Sequence, residues 1–171
     1  MDFNDVVKSR YSCRGYEKRQ LSKQDLDAIL EAGRLAPTAK NLQEQHIYVL
    51  QSEEQLAKVD QWSKCRFGAP TVLVVAYDKD NVYTYPGSNR QSGIEDASIV
   101  ATHMMLAATN VGVGSCWVNC VHIDELHAAL GLPENEEILM LLDLGYSSEE
   151  GKTPLPMHFK RKPIEETVTY L

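Results

Sequence analysis

Several features that mark particular classes of protein are scarce or missing in this 171-residue sequence. It has 17 Lys and Arg against 24 Asp and Glu, and the net charge of -7 argues against nucleic acid as the main partner. Its four cysteines include no pair with CxxC spacing, so we expect reduced thiols and no disulfides. It has no candidate membrane span and no apolar signal core at the N-terminus. We therefore expect no membrane partner and a cytoplasmic location.

Proline and glycine are also absent from one long stretch, Ile94 to Val111, which predicts a helix followed by a glycine-hinged turn and a strand. Its apolar residues are distributed over nearly every side of the predicted helix. A helix of this kind must be buried on all sides, and a chain of this length has little room to bury it alone. The stretch therefore predicts a central helix that also packs against a second subunit.

The remaining patterns predict a single domain, residues 1–171, of mixed α+β class. An irregular segment, Asp78 to Ser92, is a candidate lid. The other predicted elements are, in chain order, a helix at 2–8, a loop at 9–19, a helix opened by Ser22 and Asp25 and stopped by Pro37, a strand at 46–51, a helix opened by Ser52 and Gln55, a strand at 71–78, a strand at 114–120, a helix capped by Asp124, a strand at 136–146, and a strand-like end at 167–171.

Two basic islands stand out against the acidic background, one within residues 10–19 and the other at residues 160–162. Solvated cations are the ordinary interpretation of such runs. However, Arg10, Ser12 and Arg14 alternate, so in an extended segment all three side chains point the same way. Two guanidinium groups with a hydroxyl between them suit a phosphate monoester. If the chain folds back, the second island could close the other side of the same anion.

Several stretches, in this order, resemble the motifs of the FMN-dependent nitroreductase-like proteins. SRYSCRGYEKR resembles the opening motif of the family, and LAPTAKNLQ resembles its small-residue loop that ends in Asn-x-Gln. GIEDASIVATHMMLAATNVGVGSCWV resembles the central helix of the family and the strand that follows it. LGLPENEEILMLLDLGY and RKPIEE resemble the family's final strand and basic tail. The resemblance covers nearly the whole chain. It implies a three-layer α+β fold, with a mixed and mainly antiparallel sheet flanked by helices.

The resemblance also implies a homodimer whose long helices pack at the interface, with one FMN held between the subunits at each site. Arg10 and Arg161 would hold the phosphate, Ser12 the phosphate or ribityl end, and Arg14 the pyrimidine edge of the ring. Thr38 and Asn41 would come from the other subunit. The backbone of residues 115–117 would line the ring. The cofactor-binding residues expected are Arg10, Tyr11, Ser12, Arg14, Thr38, Asn41, Ser115, Cys116, Trp117, Lys160 and Arg161.

The function implied is an FMN-dependent oxidoreductase that passes reducing equivalents from NAD(P)H to an electron-poor acceptor, a nitroaromatic or a quinone. The flavin would do the chemistry, so no side chain is expected to be catalytic. Glu44 and Gln45 stand where many family members have proline and an aromatic residue. That departure leaves open another reaction on the same fold, reductive dehalogenation or flavin fragmentation. A flavin-binding module without turnover, for storage or sensing, is a further alternative.

Two smaller features have competing interpretations. Cys116, Cys120 and His122 would share one face of a strand reaching residue 120, which raises the alternative of a zinc site; we expect core cysteines and no metal. Glu95 and Asp96 are interpreted as residues that favour the N-terminus of the predicted central helix through its dipole.

Overall fold

The computed structural model describes residues 1–171 and contains one four-stranded antiparallel sheet. The strands are β1 (Gln45–Leu50), β2 (Thr71–Asp78), β3 (Gly114–Val118) and β4 (Glu136–Gly145), in the spatial order β1-β2-β4-β3. The helices are α1 (Phe3–Ser9), α2 (Lys23–Arg34), α3 (Glu53–Trp62), α4 (Gly93–Asn110) and α5 (Ile123–Leu130). Short 3-10 turns occur at Ala39–Asn41, Pro156–Phe159 and Ile164–Glu166.

The sheet separates two hydrophobic cores, which makes the three-layer α+β architecture that the sequence predicted. Alternate residues of the buried strand β2 enter different cores, because successive side chains point to opposite faces. Leu73 and Val75 pack on the side of α2 and α4, whereas Val72 and Val74 pack on the side of α3 and α5. β2, buried from Thr71 to Tyr77, sits at the centre and pairs with β1 on one side and β4 on the other.

Local signals account for most helix boundaries. At α3 the Ser52 side chain accepts the Gln55 backbone N–H and Gln55 reaches back, which completes the predicted capping box. Ser22 likewise accepts the Asp25 N–H at 3.1 Å at the start of α2. The Asp25 carboxylate, however, accepts the Tyr146 hydroxyl at 2.6 Å, so it ties α2 to the end of β4 and does not close a box.

Three predicted boundaries were wrong. Asp124 does not cap α5: His122 is the N-cap residue, without a side-chain capping bond, and Asp124 lies in the first turn. β3 ends at Val118 and does not reach Cys120. Residues 167–171 form no strand, since they follow a 3-10 turn as exposed irregular chain without a partner strand.

The central helix α4 is buried along only one side within a single chain. Val100, Met104 and Ala108 are fully buried against α2 and the sheet. α2 approaches closely because Gly33 has no side chain: a Cβ there would lie 2.8 Å from Met104 Cγ. On the other side Ile94 is 58% exposed and Ile99 is 37% exposed. One chain therefore leaves an apolar strip of α4 without cover.

None of the helices is both long enough and apolar enough to cross a lipid bilayer.

Candidate functional site: an arginine-lined cleft

The loop after α1 runs alongside β3. Ser12 pairs with Ser115 in a parallel bridge, and the Cys13 backbone N–H donates to the Ser115 carbonyl at 2.8 Å. This extended pairing makes the side chains of residues 10–14 alternate. The Cys13 side chain is fully buried, and the side chains of Arg10, Ser12 and Arg14 lie on the opposite side, as the sequence predicted.

The segment after β4 returns to the same loop. Glu17 N–H donates to the Tyr146 carbonyl at 2.8 Å, and Ser148 N–H donates to the Gly15 carbonyl at 3.1 Å. The contact is closest at Gly151, where a Cβ would lie 1.8 Å from the Gly15 oxygen, so only glycine fits. The chain beyond this contact is thereby directed over the arginines of the loop.

The two segments enclose a cleft of about 280 Å³, which we call the arginine cleft. Its lining residues are Arg10, Ser12, Arg14, Pro154, Leu155, Met157, His158 and Arg161. None of the three arginines forms an ion pair, although ten ion pairs occur elsewhere in the chain. Partial burial and the nearby charges of Arg10 and Arg161 lower the pKa of His158. The cleft thus concentrates positive charge that no carboxylate of this chain neutralises.

Arg14 also faces an aromatic ring that lies outside the cleft lining. The Arg14 guanidinium carbon lies 5.8 Å from the centre of the Phe67 ring. Phe67 has φ of 52°, so the loop before β2 adopts a left-handed turn at this residue. The neighbouring Cys65 thiol interacts with Cys120, and burial with that contact raises the pKa of Cys65. Sequence patterns did not indicate that Phe67, Cys65 and residues 154–158 lie at or beside the cleft, because only the folded chain brings these loops together.

The predicted residues of β3 do not all face the cleft. Cys116 is buried in the core beneath α3 and α5, where burial and the neighbouring Asp143 raise its pKa to about 11. Only its backbone is left to face a ligand. Trp117 packs towards α4 and its indole N–H donates to Asn119 Oδ1 at 2.8 Å. The buried Ser115 hydroxyl has no hydrogen-bond partner.

Two further predicted residues lie beside the cleft and not in its lining. Tyr11 shares an adjoining cavity of about 250 Å³ with Ser115 and Ser147, and its hydroxyl lies 3.2 Å from Ser147 Oγ. Lys160 is exposed, and its carbonyl accepts a hydrogen bond from Arg161 at 2.8 Å. Arg161, not Lys160, is therefore the basic residue that the tail brings into the cleft.

Thr38 and Asn41 lie on a tight loop at the other end of the molecule. Thr38 Oγ1 accepts the Gln43 N–H at 3.0 Å, and Lys40, Asn41 and Gln43 all have positive φ. The loop is attached to the first turn of α4, where Asp96 Oδ1 accepts the Ala39 N–H at 3.0 Å. The exposed Asn41 side chain has no protein partner, so both its donor and its acceptor groups are available.

The length of α4 separates this loop from the arginine cleft. The loop is attached at Asp96, whereas Ser12 pairs with β3 just after the helix ends at Asn110. At 1.5 Å per residue these points lie about 21 Å apart along the helix axis. One chain does not bring Thr38 and Asn41 to its own Arg10 and Ser12.

The zinc alternative rested on a strand that continues to residue 120, and that premise was wrong. Cys120 and His122 follow the end of β3, so they do not share its face with Cys116. No group of three or more His, Cys, Asp and Glu side chains is arranged to hold a metal ion.

The fold and the cleft together define a three-layer α+β protein with an arginine-lined cleft beside the β3 edge of its sheet. The family model described as Nitroreductase family matches residues 7–67 and 63–146. The chain is 32% identical over 153 residues to a putative NADH dehydrogenase/NAD(P)H nitroreductase of Archaeoglobus fulgidus, covering 85% of each. The chain belongs to the nitroreductase family, which confirms the resemblance seen in its motifs.

Solved structures of nitroreductases also match this chain. A crystal structure of a nitroreductase family protein from Clostridium difficile 630 shares 37% identity and superposes with a TM-score of 0.93, over 99% of this chain and 98% of that one. An FMN-dependent nitroreductase from Clostridium difficile R20291 shares 28% identity with a TM-score of 0.79, over 98% of both chains.

Proposed function

We propose that the chain is one FMN-binding domain, residues 1–171, of an FMN-dependent NAD(P)H oxidoreductase that works as a homodimer. Its acceptor class is electron-poor aromatics or quinones. The observation that carries the proposal is the arginine cleft, in which three arginines converge without any acidic partner. Its relatives named as NAD(P)H nitroreductase and FMN-dependent nitroreductase support the cofactor and the reaction class.

The residues of the cleft fit the phosphate end of FMN. Arg10 and Arg161 supply guanidinium groups from two different segments, and Ser12 supplies a hydroxyl between Arg10 and Arg14. Guanidinium groups hold phosphate oxygens through paired, charge-assisted hydrogen bonds. Pro154, Leu155 and Met157 line the cleft beside these cations and supply apolar contact surface for a bound ligand.

Arg14 differs from the other two arginines in that its guanidinium lies over the Phe67 ring. It suits the pyrimidine edge of the ring, where it would stabilise negative charge on the reduced cofactor. When bound, FMN would supply the redox chemistry by taking a hydride from NAD(P)H and giving reducing equivalents to the acceptor. The protein residues would bind and orient; no side-chain nucleophile is needed.

A second copy of the chain would complete the site. Thr38 and Asn41 lie about 21 Å along α4 from the end of the helix nearest the cleft, so they are placed to serve the cleft of a partner. The uncovered side of α4, with Ile94 and Ile99, offers an apolar surface for that partner. Phe159 in the tail is 70% exposed and adds apolar surface of the same kind.

The direct test is to purify the protein with FMN and follow NADH and NADPH oxidation with and without a nitroaromatic or a quinone. We expect a yellow dimer whose nicotinamide oxidation accelerates when the acceptor is added. Bound flavin that neither nicotinamide reduces would favour the storage or sensing alternative. A protein that takes up no FMN would refute the proposal.

The dimer is tested separately with Ile94→Glu, which places a charge on the uncovered side of α4. Ile94 is 58% exposed in one chain, so the fold should tolerate the change. We expect a folded monomer by light scattering with FMN retention reduced at least about tenfold, since the contacts to Thr38 and Asn41 are lost. Gln61→Glu on the opposite helix layer is the control. A monomer that holds FMN like the native protein would contradict the shared site.

A further inference from the structure

Two carboxyl side chains are buried together beneath the loop of residues 38–43. Glu44 is 4% exposed and Asp96 is 5% exposed. Burial, followed by the interaction with the Asp96 carboxyl, raises the pKa of Glu44 to about 7. No Lys, Arg or His forms an ion pair with either group. Neither carboxyl therefore has a counter-ion within the chain.

The Glu44 and Asp96 carboxyls lack one hydrogen-bond donor. Glu44 Oε2 and Asp96 Oδ2 are buried, and neither has a hydrogen-bond partner. Asp96 Oδ1 accepts the Ala39 N–H at 3.0 Å, and the Ser92 hydroxyl lies 3.5 Å from Glu44 Oε1. A single proton between the two carboxyls gives both remaining oxygens a partner. Two ionised carboxylates there would leave two buried acceptors unpaired and would repel each other.

The two members of the pair have different surroundings. Asp96 lies in the first turn of α4, where the helix dipole favours an anion, and it also accepts the Ala39 N–H. Glu44 precedes β1, outside any helix, and its other donors are its own backbone N–H and the Ser92 hydroxyl 3.5 Å away. The arrangement therefore makes Glu44 the group that carries the shared proton and donates it to Asp96.

The pair connects three segments around the start of α4. Asp96 holds the loop at Ala39, and Glu44 continues that loop into β1. Ser92 near Glu44 also accepts the Tyr83 N–H at 3.2 Å, which connects the pair to the irregular segment of residues 78–92. The loop needs an anchor, because Lys40, Asn41 and Gln43 adopt left-handed backbone conformations that cost energy in non-glycine residues.

We infer that Glu44 is a positioning residue for flavin binding: its carboxyl donates a proton to Asp96, and this shared proton holds residues 38–43 in the conformation that presents Thr38 and Asn41. The inference deepens, and rests on, the proposed role of those two residues at the flavin. Glu44 acts through Asp96 and the loop, and it does not itself contact the cofactor.

The arrangement makes the loop sensitive to pH. The pKa of Glu44 is raised in the folded chain, so its stabilising contribution is fully present below the ordinary glutamate pKa and is lost as pH rises through about 7. No other nearby charge compensates this loss. Lys40 lies over the Tyr83 ring, and Arg90 pairs with Glu95. The titratable and charged groups on the segments that meet at the pair are Glu95, Arg90, Tyr85, Tyr83, Asp78 and Lys40.

The test is amide hydrogen exchange of residues 38–43 in the FMN-free protein, corrected for the intrinsic dependence of exchange on pH. We expect the protection of these amides to fall at least about tenfold between pH 6 and pH 9. In Glu44→Gln an amide donates to Asp96 at every pH, so protection should change less than about twofold. Glu134→Gln, at an exposed glutamate, should behave like the native chain.

Constant protection in the native chain, or a Glu44→Gln variant that follows it, would overturn the inference. If Glu44→Gln does not fold, the native side chain is read directly by the infrared band of protonated carboxyl groups, in an Asp143→Asn background that removes the other buried acid. We expect a band that disappears as pH rises through neutrality, and its absence would also overturn the inference. These readouts use no FMN, so they stand apart from any failure of the proposed function.

The second arm measures FMN affinity of the same variants. The native protein should bind FMN at least about fivefold more weakly at pH 9 than at pH 6, and Glu44→Gln should not show this loss. If exchange responds as expected while FMN affinity does not, the loop is held by the proton but does not serve the flavin, which overturns the positioning role alone.

Discussion

Both the arginine cleft and the Glu44–Asp96 pair hold like charges without counter-ions, but the two regions differ in exposure. The cleft is open, and Arg14 and Arg161 are exposed to solvent. The carboxyl pair is almost completely buried. Uncompensated cations at a surface cost little in water and await an external anion, whereas uncompensated anions in a core must take up a proton. Like charges therefore indicate a ligand site in the first region and a shared proton in the second.

The strongest test of this comparison is to remove positive charge from the arginine cleft. In Arg10→Ala/Arg161→Ala we expect FMN affinity to fall by about 10²- to 10⁴-fold, because each charge-assisted contact to the phosphate contributes roughly 1.5–3 kcal/mol. Thermal stability of the FMN-free protein should stay within about 0.5 kcal/mol of native, since neither side chain has an ion pair to lose. Fluorescence titration with FMN and thermal unfolding measure the two quantities.

Arg34→Ala is the matched control for the double variant, because Arg34 is an exposed arginine on α2 that pairs with Glu31 at 2.7 Å. It should bind FMN like the native chain. Unchanged affinity in the double variant would show that the converging arginines are solvated cations and not a phosphate site.

A third buried acid, on β4, extends the comparison. Asp143 on β4 is fully buried, neither of its carboxyl oxygens has a hydrogen-bond partner, and burial raises its pKa to about 9. The folded chain therefore keeps the proton, while the unfolded chain releases it near the ordinary aspartate value. Stability from this group is present at acid pH and is lost as pH rises through about 9.

Asp143→Asn removes that ionisation, so its stability relative to the native chain should increase by roughly 4 kcal/mol between pH 5 and pH 8. Urea unfolding at both pH values gives the difference. Asp60→Asn, an exposed acid of the same type paired with Arg66, is the control and should show no such gain. A native chain with the same stability at both pH values would mean that Arg66 neutralises Asp143 as an ion.

The sequence predicted the parts of this molecule that depend on local pattern. β2 was predicted at its observed bounds, and α4 within one residue, because unbroken apolar runs and capping residues act over a few positions. The alternation of Arg10, Ser12 and Arg14 was likewise local, and β3 pairing keeps it.

Features that depend on distant segments escaped prediction. Glu44 and Asp96 are separated by 51 intervening positions, so Asp96 was interpreted only through the helix dipole. The tail wall at Pro154, Leu155 and Met157 has no periodicity, and only the contact of Gly151 with Gly15 places it over the cleft. The side of β3 on which Cys116 lies follows from its register with β4, which a single strand does not reveal.

The smallest expected effect sharpens the comparison within the cleft itself, between the arginine beside Phe67 and those beside the tail. Arg14→Ala should lower the two-electron reduction potential of bound flavin by about 20–40 mV, the equivalent of roughly 1–2 kcal/mol of lost stabilisation of the reduced form. Its FMN affinity should fall less than that of Arg10→Ala, because Arg14 is assigned to the ring edge and Arg10 to the phosphate. Equilibrium reduction against a reference dye measures the potential. If Arg10→Ala shifts the reduction potential as much as Arg14→Ala does, the two guanidinium groups have the same electrostatic effect on the flavin. The division of the cleft into a phosphate end and a ring end is then wrong.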